Sequence, residues 1–253
     1  MRTAITLLAF LAACHRPPHP GTPPLHVLLV TVEQMRADRL SCYQHRSPTS
    51  AFDSTLEERI EGRAFGLDEL ARGGVLFDHA FAPSSALGPA LAALHTGRSP
   101  IETGVLDEDG ALEPRFTTLA AELARRGFAT RACVTGTGDR IARVAGAGFE
   151  SFAAESDDAR TLEAARTFFD RDSGSGRSTF LWIHLAGPAL PWDAPLAPED
   201  GRRFVDPSYA GAADGSSVFL ARLARAELAL DEADRAALGA RYDERLRATL
   251  ERL

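Results

Sequence analysis

The sequence predicts an α/β fold, a mainly parallel sheet flanked by helices. Three observations predict it. Short apolar runs recur at 25–32 (LHVLLVTV), 128–136 (FATRACVTG) and 179–187 (TFLWIHLAG); continuous runs of this kind suit strands covered on both faces. Between them lie stretches with helical periodicity and recognisable caps. The two kinds of segment alternate, as in sheets joined by helical crossovers.

In chain order, 25–32 is the first strand, expected to be buried on both faces. The stretch 50–74 contains a helix ending near Gly73–Gly74, and 75–82 (VLFDHAFA) reads as a short strand. PALAALHTG follows as a helix with Pro89 as its first residue and Gly97 as its stop. TTLAAELARRG (117–127) is a helix capped by Thr117 or Thr118 and closed by Gly127. The strand 128–136 comes next. DARTLEAARTFFDR (158–171) is helical, with Leu162, Ala165, Phe168 and Phe169 on one face. SGSGRS is a loop, and 179–187 is another strand. LDEADRAALGARYDERLRATLERL is an amphipathic helix that starts at Asp231 and carries a stripe of Leu238, Tyr242, Leu246, Leu250 and Leu253. In parallel sheets ligand groups gather beyond the carboxyl ends of the strands. That singles out Glu33–Gln34, the loop before Pro89, Thr135–Gly138, and His184 onward.

The chain has 253 residues, 45% hydrophobic and 25% charged, enough for one globular core. A net charge of -7 and the lack of any basic cluster interleaved with aromatics argue against nucleic acid as a partner. All 28 basic residues are Arg. No Lys can therefore act as a Schiff-base nucleophile or an ammonium point charge. Residues 1–13 (MRTAITLLAFLAA) read as an export signal, too short to span a bilayer as a mature helix. LAAC, ending at Cys14, resembles a bacterial lipobox. The expectation is an exported lipoprotein of the cell envelope, anchored to the membrane through lipidated Cys14. Residues 14–24 then form a Pro-rich tether. Of the other cysteines, Cys133 reads as a small buried hydrophobe, and Cys42 with Cys133 does not establish a disulfide.

Five segments in order resemble the sulfatases of the alkaline phosphatase superfamily. VLLVTVEQMRADRLSCY is similar to their opening strand and LRADxLGCYG motif. FDHAFAPSSALGPALAALHTGRSPIETGV resembles their nucleophile segment, a Cys/Ser-x-Pro-x-Arg core followed by LLTGR. TTLAAELARRGFATRACVTG, FLWIHLAGPALPWDAP and the last helix resemble three further family segments. The match covers residues 25–253 and corresponds to the N-terminal part of the family's catalytic domain only.

The resemblance implies what each site position should hold. The nucleophile, a Cys or Ser matured to formylglycine, corresponds to Leu87, and the family Arg to Leu91. The metal-binding Asp pair corresponds to Glu33 and Gln34; Gln34 could offer a carbonyl oxygen to Ca²⁺. In the Asp-Pro-His loop the Asp becomes Gly187 and the His becomes Ala189, while an earlier His survives as His184. The second metal pair of the family has no counterpart in these residues. Glu33 reads as a residual ligand or as a strand-end acid. His184 and Ser85 are the remaining groups of a possible residual site, and Ser84 and Ser85 are the hydroxyls nearest the lost nucleophile.

Two functional expectations follow. One is a sulfatase-like protein without catalysis, needing no cofactor. The other is a divalent-metal-dependent hydrolase of sulfuric or phosphoric esters with an altered or partner-completed site. An open sheet edge and an uncovered stripe on the last helix further imply a protein partner or self-association.

Overall fold

The computed structural model describes residues 23–43, 67–196 and 204–253. Cys14 and the tether as far as residue 22 lie outside the described residues. Strand β1 (His26–Val32) leads through two short 3-10 turns, Ala37–Arg39 and Ser41–Tyr43, and then α1 (Leu67–Gly73), to α2 (Leu87–Thr96), α3 (Pro100–Thr103) and α4 (Leu119–Arg125). Then come β2 (Ala129–Thr135), α5 (Gly138–Ala145), β3 (Ser151–Glu155), α6 (Asp158–Ser173), β4 (Thr179–Leu185), α7 (Ser217–Ala224) and α8 (Glu232–Arg252). The four strands form one parallel sheet in the order β1-β4-β2-β3. The predicted α/β class is observed.

Helices cover both faces. On one side Phe180 and Trp182 of β4 and Ala132 and Val134 of β2 pack with Leu91 and Ala92 of α2, Ala120 of α4, and Ile141 and Val144 of α5. On the other, Cys133, Leu181, Ile183 and Leu185 meet Ala165, Leu162 and Phe168 of α6. Burying each large apolar side chain contributes roughly 1.5–3 kcal/mol. The two inner strands therefore hold the molecule together. Cys133 is buried and free, and Cys42 is free.

Several expectations are corrected. β1 is an edge strand, because only β4 pairs with it, and Leu28 on it is 61% exposed. Residues 75–82 are not a strand among the described residues; Val75, Phe77 and Phe81 are exposed. An apolar run becomes a strand only where a ladder partner takes up its backbone groups, and none does here. α2 begins at Leu87, so Pro89 is its third residue rather than its first. Proline is tolerated there because the first-turn N–H groups have no intrahelical acceptor. Gly97 closes the helix at φ 67, as expected of a left-handed cap. Thr118, not Thr117, caps α4. Phe169 is 43% exposed, with its ring edge-to-face against His26. Helix α5 and strand β3 were not anticipated.

The stripe on α8 is also partly covered. Leu246 is fully buried, and with Tyr242 and Leu250 it packs against Leu40, Cys42, Tyr43 and Leu67. The buried face is wider and more polar than the stripe. Asp243, Glu244, Arg247 and Thr249 are all buried, Asp243 pairing with Arg39 at 3.0 Å.

Candidate functional site

Glu33 follows the last residue of β1, Gly136 follows β2, and Ala186–Gly187 follow β4. All lie at the carboxyl end of the sheet, where the sequence directed attention. Two cavities open there. The larger, about 950 Å³, is lined among others by Glu33, Leu87, Leu91, Glu108, Gly136 and Gly187. The smaller, about 620 Å³, brings together Glu33, Gln34, Ser85, Leu87, Leu91 and His184. Every predicted site residue of the described chain thus lines one of two adjoining spaces.

The entrance of α2 sits between them. Its N-cap, Ala86, offers no side-chain hydrogen bond. Pro89 has no N–H, and Ala90 N–H already donates to Ala86 O. The free amides of the first turn are therefore those of Leu87 and Gly88. Leu87 N–H donates to Glu108 Oε1 at 2.6 Å, and Gly88 N–H donates to Glu108 Oε2 at 3.1 Å. One carboxylate satisfies both, at the positive end of the helix dipole. Ser84 Oγ accepts from Ala86 N–H in a local turn, and Ser85 is exposed. Leu91, at the Arg position, is buried in the core.

Beneath α2 lies a polar and aromatic cluster. His184 stands opposite Thr31 in the ladder, and its Nδ1 is 2.9 Å from Thr31 Oγ1. Trp182 Nε1–H donates to the same hydroxyl at 3.0 Å. His184 Nε2 is 3.7 Å from Glu33 Oε2. At that distance the pair makes no hydrogen bond. His95 of α2 sits edge-on to Trp182, 4.3 Å between ring centres. Neither of its nitrogens meets a protein hydrogen-bond partner. Burial, with His184 nearby as a lesser cause, pulls its pKa down to about 4. His95 is a neutral core residue.

The loop after β4 is held by groups that sequence reasoning missed. Asp158, the first residue of α6 and almost fully buried, accepts from Ala186 N–H and Gly187 N–H, both at 3.0 Å, and from Thr249 Oγ1 of α8 at 2.8 Å. A Cβ at residue 187 would overlap Thr249 Oγ1 and Asp158 Oδ2. Gly187 is thus required by packing. The loop that follows β1 is fixed from α8. Tyr242 Oη donates to Gln34 O at 2.9 Å and accepts from Arg36 N–H at 2.8 Å. These bonds hold Gln34 at φ 53.

A Ca²⁺ ion needs six to eight oxygen ligands at about 2.3–2.6 Å. The side chains here do not meet that demand. Gln34 Oε1 accepts from Leu190 N–H, Gly187 has no side chain, and Asp158 is committed to backbone amides. Glu33 is left as the one carboxylate of the expected pair. No group of three or more His, Cys, Asp or Glu suited to a metal ion occurs among the described residues. Neither Glu108 nor Asp158 carries a local sequence signal, because each acts on amides twenty or more residues away.

The family model described as Sulfatase matches residues 26–248. Arylsulfatase A of Homo sapiens is 31% identical over 135 residues, which is 51% of this chain and 22% of that protein. The phosphonate monoester hydrolase of Agrobacterium radiobacter superposes with a TM-score of 0.58 at 17% identity, over 91% of this chain and 57% of that one. The C-terminal periplasmic domain of the phosphoethanolamine transferase EptC from Campylobacter jejuni gives 0.58 at 14% identity, over 91% and 62%. The chain spans about a fifth of the curated relative and less than two thirds of either structure.

Proposed function

The chain belongs to the sulfatase family, and from that premise we propose that it is a sulfatase-like envelope protein that hydrolyses no ester. One observation carries the reading. Where the resemblance puts the nucleophile there is Leu87, and its amide is already bound to Glu108. A Leu side chain cannot attack sulfur or phosphorus, and Leu91 cannot balance an anionic intermediate. Loss of one group that stabilises developing negative charge, such as that Arg, typically costs about 10²–10³ in rate. The donor set around Glu33 supports the same reading, since it does not provide the family's metal site.

Purified protein is expected to show no turnover of aryl sulfates, phosphate monoesters or phosphonate monoesters with Ca²⁺, Mg²⁺, Mn²⁺ or Zn²⁺ added. Turnover abolished by Glu33→Ala or Ser85→Ala would establish the hydrolase reading instead, with Glu33, Ser85 and His184 of the smaller cavity as its machinery. The envelope location rests on residues 1–14. Cys14 is expected to carry lipid and to hold the chain in the membrane fraction, and mass spectrometry of the mature N-terminus tests this.

A further inference from the structure

We propose that the smaller cavity binds an uncharged alcohol with an apolar body, its hydroxyl held between His184 and Glu33. The ligand carries neither sulfate nor phosphate. The inference rests on the proposed function in one respect, that what enters this space is held and not transformed.

The polar pair carries the argument. His184 is 1% exposed, yet its Nε2 has no hydrogen-bond partner in the protein and the residue lines the cavity. Glu33 lines the same space, with Oε2 3.7 Å from that nitrogen. The other ring nitrogen fixes where the proton sits. Trp182 Nε1–H donates to Thr31 Oγ1, so Thr31 gives its own hydrogen elsewhere. His184 Nδ1 at 2.9 Å is nearer to that hydroxyl than Ile183 O at 3.3 Å. Nδ1 therefore accepts, and Nε2 carries the hydrogen. A donor and a carboxylate acceptor thus face one gap, too far apart to bond each other. Leaving a buried donor unsatisfied is costly. One hydroxyl serves both groups, accepting from His184 Nε2–H and donating to Glu33.

The walls select for an apolar, uncharged ligand. Val32, Met35, Phe81, Leu87, Ala90 and Leu94 make up much of the lining, and Phe81 and Leu94 stay exposed to water there. A ligand with an apolar body covers them. Other polar groups of the lining are already engaged. Gln34 Oε1 accepts from Leu190 N–H, and Ser84 Oγ accepts from Ala86 N–H. Glu33 is the one charged side chain among the described lining residues, so an anion is repelled. A cation would suit Glu33 but has no lone pair for His184 Nε2–H. The volume of about 620 Å³ lies within the range of small-molecule sites.

The test is calorimetric titration of the full chain with 1-hexanol, pentyl methyl ether, hexylammonium and hexanoate. The ether is an isomer of the alcohol that accepts a hydrogen bond and cannot donate one. Wild type is expected to bind the alcohol about tenfold more tightly than the ether, and more tightly than either ion. Glu33→Leu should make alcohol and ether equal. Ala93→Phe, which fills the cavity from α2, should bind neither. An alcohol that does not bind up to its solubility limit, or binds no better than the ether, overturns the proposal. So does tighter binding of either ion, an alcohol preference that survives Glu33→Leu, or unchanged binding to Ala93→Phe. Should a variant not fold, the His184 ring N–H resonance of wild type decides. It should shift as the alcohol saturates, and a resonance that ignores the alcohol overturns the proposal equally. Ester turnover by wild type would sink the non-hydrolytic reading, and the alcohol-to-ether ratio would still decide this one.

Discussion

His95 shows how one buried side chain sets a pH limit on the molecule. Its ring is enclosed by Trp182 and Phe149 with no protein partner for either nitrogen. Its pKa falls from 6.5 to about 4 on folding, chiefly through burial. A depressed His pKa means that the unfolded chain binds the proton more readily. The associated stability is therefore complete above pH 6.5 and is lost as pH falls from 6.5 towards 4. A shift of this size corresponds to about 3 kcal/mol at most. Denaturant titrations at pH 7.5, 5.5 and 4 should show this loss in wild type. His95→Leu should flatten the slope, since the apolar side chain suits the same site and cannot titrate. An unchanged slope in the variant would move the effect to another group.

At the scale of elements, the loop after β4 depends on three segments meeting at one point. Asp158 from α6 and Thr249 from α8 fill the volume a side chain at residue 187 would need. Placing an Asp there by Gly187→Asp is expected to destabilise the fold by about 1–3 kcal/mol through overpacking, with like-charge repulsion from Asp158 added. The double variant Gly187→Asp with Asp158→Gly should recover part of that loss, because neighbouring sites are not additive. Thermal unfolding of the four proteins closes the cycle. Strictly additive losses would mean that the two positions do not compete. For the same reason Gly187→Asp alone is not expected to create a metal site.

Over the whole molecule, several large apolar side chains remain exposed among the described residues. β1 is an edge strand with Leu25 and Leu28 exposed, and Phe77 and Phe81 stand out in the coil at 75–82. Unpaired edges and exposed apolar side chains favour association. The chain is expected to self-associate with rising concentration, read by light scattering, and Leu28→Lys should shift this towards monomer. A clean monomer with cooperative unfolding would show that the described sheet needs no cover. The stripe of α8 is a lesser contributor than its pattern suggested, because Leu40, Tyr43 and Leu67 pack on it.

The sequence by itself determined the α/β class, three of the four strands and the Asp231 cap of α8, and its resemblance set Leu87 at the family's nucleophile position. These are local properties: apolar runs, caps and the identity of a residue within a motif. It also placed Glu33, Gln34, Ser85 and His184 near strand or helix ends, and the cavities there bring them together. Only the tertiary structure decided that 75–82 is not a strand and that β1 lies at an edge, since both depend on which chain segments are available to pair. It alone revealed β3, a half-buried edge strand whose SFAAE sequence lacks the apolar run of an inner one. And it alone assigned Glu108 and Asp158 to the site. A carboxylate bonds to whatever amide the fold brings within about 3 Å of it, and no pattern along the chain encodes that distance.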